Sequence, residues 1–151
     1  MARGKGAVAN NVGESVFSTG KFATAGDSGQ STLHLLRQTT NAIQTQLLCS
    51  DETGNTITAI GVNTSLYVKA GITGYNVTTN STSCFEIVAH LSRDTGNLTL
   101  NSETVNTIHN PEALSVAIVP STTLYQVRVT GLASNTINWT CKLEQVWSRN
   151  I

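Results

Sequence analysis

The side chains able to run covalent or metal chemistry are few and widely spaced. His34, His90 and His109 fall in three separate segments without the HExxH type of spacing, so a metal would need ligands brought together by tertiary folding. Cys49, Cys84 and Cys141 leave one thiol unpaired under any intrachain scheme and form no CxxC pair. They read as buried free thiols. His90, Ser92 and Asp94 supply the residue types of a hydrolase triad, but none sits in a G-x-S-x-G elbow, and they read as polar strand-face residues. The stretch GKFATAGDSGQS holds glycines and Lys21 without the G-x-x-x-x-G-K-[ST] order of a phosphate-cradling loop. The acids Asp27, Asp51, Glu52, Asp94, Glu103, Glu112 and Glu144 are scattered, whereas a glycosidase needs two facing one cleft at about 5–10 Å. The expectation is a non-enzyme, with no catalytic residue, no metal and no cofactor.

Binding chemistry is better represented. Tyr75, Asn76 and Asn80 lie in GYNVTTNST, a turn-rich polar stretch offering an aromatic face and amide donors and acceptors that match sugar hydroxyls. They are the candidate receptor contacts, weighed against an ordinary solvated loop. Trp147 and Tyr75 read as exposed aromatics with an interface or core role preferred over a ligand role, and Trp139 reads as core.

Composition narrows the partners. Nine Lys plus Arg balance nine Asp plus Glu, so no basic field exists to hold nucleic-acid phosphates or an anionic membrane surface. Charged residues make up 12% of the chain, low for a soluble domain, and Thr, Asn and Ser supply the missing polarity. No stretch approaches the roughly 20 apolar residues that span a bilayer, and MARGKGAVANN lacks a hydrophobic signal core. Synthesis in the cytoplasm without membrane insertion is expected. The Asn-X-Ser/Thr triplets at Asn63, Asn76, Asn80, Asn97 and Asn138 are then chance products of an Asn/Thr-rich chain.

The elements that position these residues are strands. Phe85, Ile87, Ala89 and Leu91 alternate with Cys84, Glu86, Val88 and His90, and Ile137, Trp139, Cys141 and Leu143 alternate with Asn138, Thr140, Lys142 and Glu144. Tyr125, Val127 and Val129 do the same, and Gly131 is expected to open a loop closing an antiparallel hairpin with the last strand. Further strands are expected at 31–38, 43–48, 56–60, 65–69, 97–101, 105–108 and 114–119, parted by SDETGN, RDTGN and HNPE, with one helical turn near 110–114. The length suits one main domain: an all-β, antiparallel, jelly-roll-like β-sandwich over residues 31–151 behind a short Gly/Ala-rich stem over residues 1–30.

Four stretches carry a family resemblance: FATAGD at Phe22–Asp27, LRQTT at Leu36–Thr40, VTG at Val129–Gly131 and TINW at Thr136–Trp139. Together they resemble a recurrent C-terminal domain of bacteriophage tail fibres and tailspikes. In that family a glycine-rich stem leads into a segment similar to G-x-F-A-x-x-G-D-x-Q-x-S. Here it reads Gly20, Phe22, Ala23, Gly26, Asp27, Gln30 and Thr32, with Ser28 and Gly29 where the pattern has one residue and Thr32 in place of its serine. The chain departs from the family across Thr53–Tyr75, which lacks the usual tryptophan and arginines.

The resemblance implies a virion surface protein, trimeric about a fibre axis, with a distal sandwich. Its expected partners are two further copies, other virion proteins and host cell-surface polysaccharide, and burial of apolar edges such as Val16 and Phe17 would drive the homotrimer. The rival is a capsid cement or decoration protein stabilising the head shell. A depolymerase fragment is the enzymatic alternative, and it would need a carboxylate pair in a groove.

Overall fold

A computed structural model describes residues 1–18, 20–49 and 56–150. Ten strands run in chain order: β1 (Ala2–Arg3), β2 (Ser15–Phe17), β3 (Ser28–Thr39), β4 (Gln44–Gln46), β5 (Thr64–Asn76), β6 (Ser81–Arg93), β7 (Thr99–His109), β8 (Ser115–Pro120), β9 (Tyr125–Thr130) and β10 (Ile137–Arg149). They form a seven-stranded sheet ordered β1-β2-β3-β10-β5-β6-β7 and a three-stranded sheet ordered β4-β9-β8. All pairings are antiparallel except the short β1–β2 ladder. The expected all-β sandwich is the fold.

The core lies between the two sheets and follows the period of two. Phe85, Ile87, Ala89 and Leu91 of β6 are buried, as are Ile137, Trp139, Cys141 and Leu143 of β10, with Leu66, Val68, Ala70 and Ile72 of β5 between them. Tyr125, Val127 and Val129 of β9 face them from the smaller sheet. A strand that hides every second side chain must keep its register, because a slip of one residue would turn the whole apolar set to solvent. Two large buried side chains are anchored by hydrogen bonds: the Tyr125 hydroxyl donates across the layers to Gln145 Oε1 at 2.6 Å, and Trp139 Nε1 donates within the larger sheet to Thr39 Oγ1 at 2.9 Å.

Several sequence expectations need correction. β9 and β10 do not form a hairpin: they belong to opposite sheets, and the loop after Gly131 carries the chain from one layer to the other. Alternation places both strands against one core but says nothing about which sheet each joins. Residues 56–60 are not a strand. Instead, Ile60 N donates to Thr123 O, Thr58 N to Asn11 Oδ1 and Thr58 Oγ1 to Asn10 O. The 97–101 and 105–108 strands are one element, β7, exposed on both faces, so no alternation betrays its middle. The strand expected at 65–69 runs on to Asn76 despite Gly71 and Gly74. Residues 110–114 make a turn closed by Asn110, whose side chain bonds both Leu114 N and Leu114 O at 2.8 Å, and no helix occurs among the described residues. The SDETGN turn, with Asp51 and Glu52, lies outside the described residues.

The N-terminal segment, residues 1–30, carries β1, β2 and the first residues of β3. Val16 is buried within the chain, so it is not an edge awaiting another copy, whereas Phe17 is exposed. The FATAGD stretch is a loop built around Asp27. Its buried carboxylate accepts from the backbone N–H groups of Phe22 (3.0 Å), Ala23 (2.5 Å) and Thr24 (2.9 Å), and Gly26 sits at φ 86°, where a side chain would be strained. Phe22 is left 77% exposed at the loop surface.

Candidate functional site

The two ends of β5 carry different chemistry, roughly 35 Å apart along the strand. At one end is the β5–β6 turn with the three residues expected to contact a receptor. Tyr75 is exposed, and its hydroxyl donates to Asn80 Oδ1 at 3.0 Å. Asn80 is exposed at the turn with φ 56°. Tyr75 also borders a shallow groove on the outer sheet face with Thr73, Thr82, Cys84, His109, Asn138 and Thr140.

Asn76 is placed differently from its neighbours. It is 1% exposed. Its amide nitrogen contacts both Glu112 carboxylate oxygens (3.1 and 3.0 Å) and Asn135 Oδ1 (3.0 Å), while its oxygen accepts from Thr78 N and Thr79 N. Asn76 therefore ties together three loops, 77–80, 110–114 and 132–136, and its hydrogen-bonding atoms are engaged inside the protein. Tyr75 and Asn80 offer the surface, and Asn76 holds it in shape.

At the other end, the inner face of β10 changes character. The buried series Ile137, Trp139, Cys141, Leu143 continues into Gln145, Trp147 and Arg149, so the same face that builds the core becomes polar where the layers part. Gln145 is buried and donates to Ser31 Oγ at 3.1 Å. Trp147 is half-buried rather than exposed, packs on the core, in line with the preferred core role, and donates its indole N–H to Gly26 O at 3.2 Å. These residues line a groove of about 250 Å³ with Val8, Asn10, Asn11 and Glu14 on one wall and Ile57–Gly61 on another. The Glu14 carboxylate is held by Asn10 N (2.7 Å) and Asn11 N (3.0 Å). The apolar pattern in the sequence ends the inward series at Leu143. Carrying the alternation three positions further places Gln145, Trp147 and Arg149 together.

The other chemistry-bearing residues stay apart. His90 Nε2 lies 3.1 Å from Ser65 Oγ on the exposed face, while Ser92 Oγ accepts from Asn101. Cys49, Cys84 and Cys141 are free thiols, of which Cys49 and Cys141 are buried and Cys84 is half-buried; burial pushes Cys141 up to about 12. Glu14 is the only Asp or Glu lining the groove among the described residues, and no group of three His, Cys, Asp or Glu side chains that could hold a metal occurs among them. No helix among the described residues is long and apolar enough to cross a membrane.

No protein-family model matches the sequence, and no curated protein matches it. Among solved structures, the chain matches the crystal structure of a tailspike protein, gp49 from Acinetobacter baumannii bacteriophage Fri1, a capsular polysaccharide depolymerase. That match has 18% identity and a TM-score of 0.42, and it covers 82% of this chain and 18% of that one.

Proposed function

We propose that this chain is a structural virion protein, a tail fibre or tailspike domain that trimerises and attaches to polysaccharide on the host surface, without enzymatic activity of its own. The observation that supports this most is the exposed surface of the larger sheet. Its outer face presents neutral rows such as Gln38–Asn138–Tyr75–Thr82 beside the ion-paired Lys69, Glu86, Lys142 and Glu144, with Leu36, Tyr67 and Val146 interspersed, and its edge strand β7 is exposed at every residue but Leu100. Long edge strands are normally kept short, charged or covered. β7 has eleven residues with Val105 and Ile108 exposed, and a further copy of the chain would cover such an edge.

The stem over residues 1–30 and the sandwich over 31–151 are the two parts this reading assigns to shaft continuation and distal attachment. The experiment is the mass in solution by light scattering at micromolar concentration, with immunogold location of the chain on intact particles. A trimer located on the tail is expected. A monomer, or a chain on the head whose removal weakens capsids, would overturn the proposal in favour of a cement protein.

A further inference from the structure

We infer that the groove between Glu14, Trp147 and Arg149 holds a carboxylated sugar unit of an acidic polysaccharide, with Arg149 as the carboxylate clamp. The attachment reading above supplies the source of that ligand, while the groove itself supplies the chemistry. The Arg149 guanidinium sits between two glycines. A Cβ on Gly61 would lie 2.5 Å from Nη1, and one on Gly26 would lie 3.9 Å from Nη2, so the missing side chains give the planar group its slot. Its Nε is buried with no hydrogen-bond partner, and no carboxylate lies within ion-pair distance among the described residues. The half-buried side chain lines the groove, and its two terminal amino groups fit a planar carboxylate, which they can bind through two parallel N–H groups.

The remaining walls narrow the ligand. Glu14 lines the same groove and repels a dianion such as a phosphate ester more strongly than a monoanion, and a sugar's hydroxyls can donate to that carboxylate. Val8, Ile57 and Trp147 supply apolar wall of the kind that packs on a sugar ring. A volume near 250 Å³ lies just below the range of sites for drug-sized ligands, roughly 300–1,000 Å³, and suits one ring with its neighbours running out into solvent.

Nuclear magnetic resonance on the full chain tests this, because the protein has two indole N–H groups in different places. Titration with sodium oligogalacturonate should shift the Trp147 indole resonance, whose N–H donates to Gly26 O at the groove, and leave that of buried Trp139 in place. A neutral glucan oligomer of equal length should leave both unchanged. Arg149→Gln should weaken the acidic oligomer at least tenfold. Gly61→Ala, which keeps the charge but pushes the guanidinium from its slot, should weaken it severalfold and decides the matter if Arg149→Gln fails to fold. No Trp147 shift, an equal response to the neutral glucan, or unchanged affinity in a folded variant overturns the assignment. Location of the chain on the particle decides the attachment reading separately, so failure of one is distinguishable from failure of the other.

Discussion

Trp139 and Gly74 stand directly opposite each other on β10 and β5, and the indole fills the space a side chain at position 74 would occupy. A Cβ there would lie 2.8 Å from Cζ3 of the ring, which is itself 1% exposed and anchored by its N–H on Thr39. Trp147 and Gly29 repeat the arrangement across the β3–β10 ladder, with the corresponding distance again 2.8 Å. Each tryptophan of β10 thus faces a glycine on a neighbouring strand. Gly74→Ala should destabilise the fold by about 1–3 kcal/mol through overpacking. Gly71→Ala, on the same strand with nothing within 4 Å of the added carbon, should be neutral or mildly stabilising. Urea unfolding of the two variants checks this.

Trp139→Ala removes the largest buried side chain and should cost about 3–5 kcal/mol. Lys142→Ala, on the outer face, breaks only an exposed 2.8 Å ion pair with Glu144 and should cost little. Equal losses in urea midpoint would contradict the β10 register.

Alternation makes the core legible in the amino-acid sequence itself. Residues 85–91, 125–129 and 137–143 read correctly because each strand has one fully buried face and one more open face. What stays hidden is information that a strand does not carry along its own length. The sheet joined by β9 depends on the β4 and β8 edges, and β7 turns only Leu100 toward the core, too little to set a period. Asn76 looks like its neighbours in a polar turn. Its burial is decided by Glu112 and Asn135, 36 and 59 residues away, and no local pattern reports them. Arg149 escapes notice for the opposite reason: its alternation is visible, but a charged residue ends an apolar series to the eye.

The FATAGD loop should respond to acid through Asp27. Burial pushes this carboxyl up, but the N–H groups of Ala23, Phe22 and Thr24, aided by Lys21, outweigh it and hold the pKa below its ordinary 3.8. The folded state therefore binds the proton more weakly than the unfolded chain. The resulting stability is present above pH 3.8 and is lost as the pH falls through the lower folded value. Asp27→Asn should be less stable than the native chain at pH 6, and the gap should close by about pH 2. Urea midpoints across that interval measure it.

At alkaline pH the sign reverses. Burial raises Cys141 from 9.0 to about 12 and pushes fully buried Tyr125 well above its ordinary value, so the folded chain keeps protons that the unfolded chain gives up. Their contribution is complete below pH 9 and should drain away as the pH rises towards 12. Cys141→Ala should unfold more easily at pH 7, because a core side chain is cut back, yet lose less stability than the native chain between pH 8 and 10.5. Thermal melts across that range test the difference in slope.

The β5–β6 turn, the proposed receptor surface, allows attachment to be separated from shape. Tyr75 is exposed and Asn80 presents its amide beside it, so Tyr75→Ala with Asn80→Gly should remove the aromatic face and the amide while leaving the melting temperature nearly unchanged. Glycine is the suitable replacement at 80 because φ is 56° there, and alanine would add backbone strain. Asn76→Ala is the contrasting variant. It leaves Glu112 and Asn135 without their shared donor inside the loop cluster and should cost about 1–3 kcal/mol. If this turn is the attachment surface, particles carrying the Tyr75 and Asn80 changes should lose adsorption to host cells at unchanged stability. Asn76→Ala should lose it only in step with unfolding, so that adsorption recovers on cooling. Full adsorption by the double variant would remove the turn from the contact surface, leaving the groove at the opposite end of β5 as the place to look.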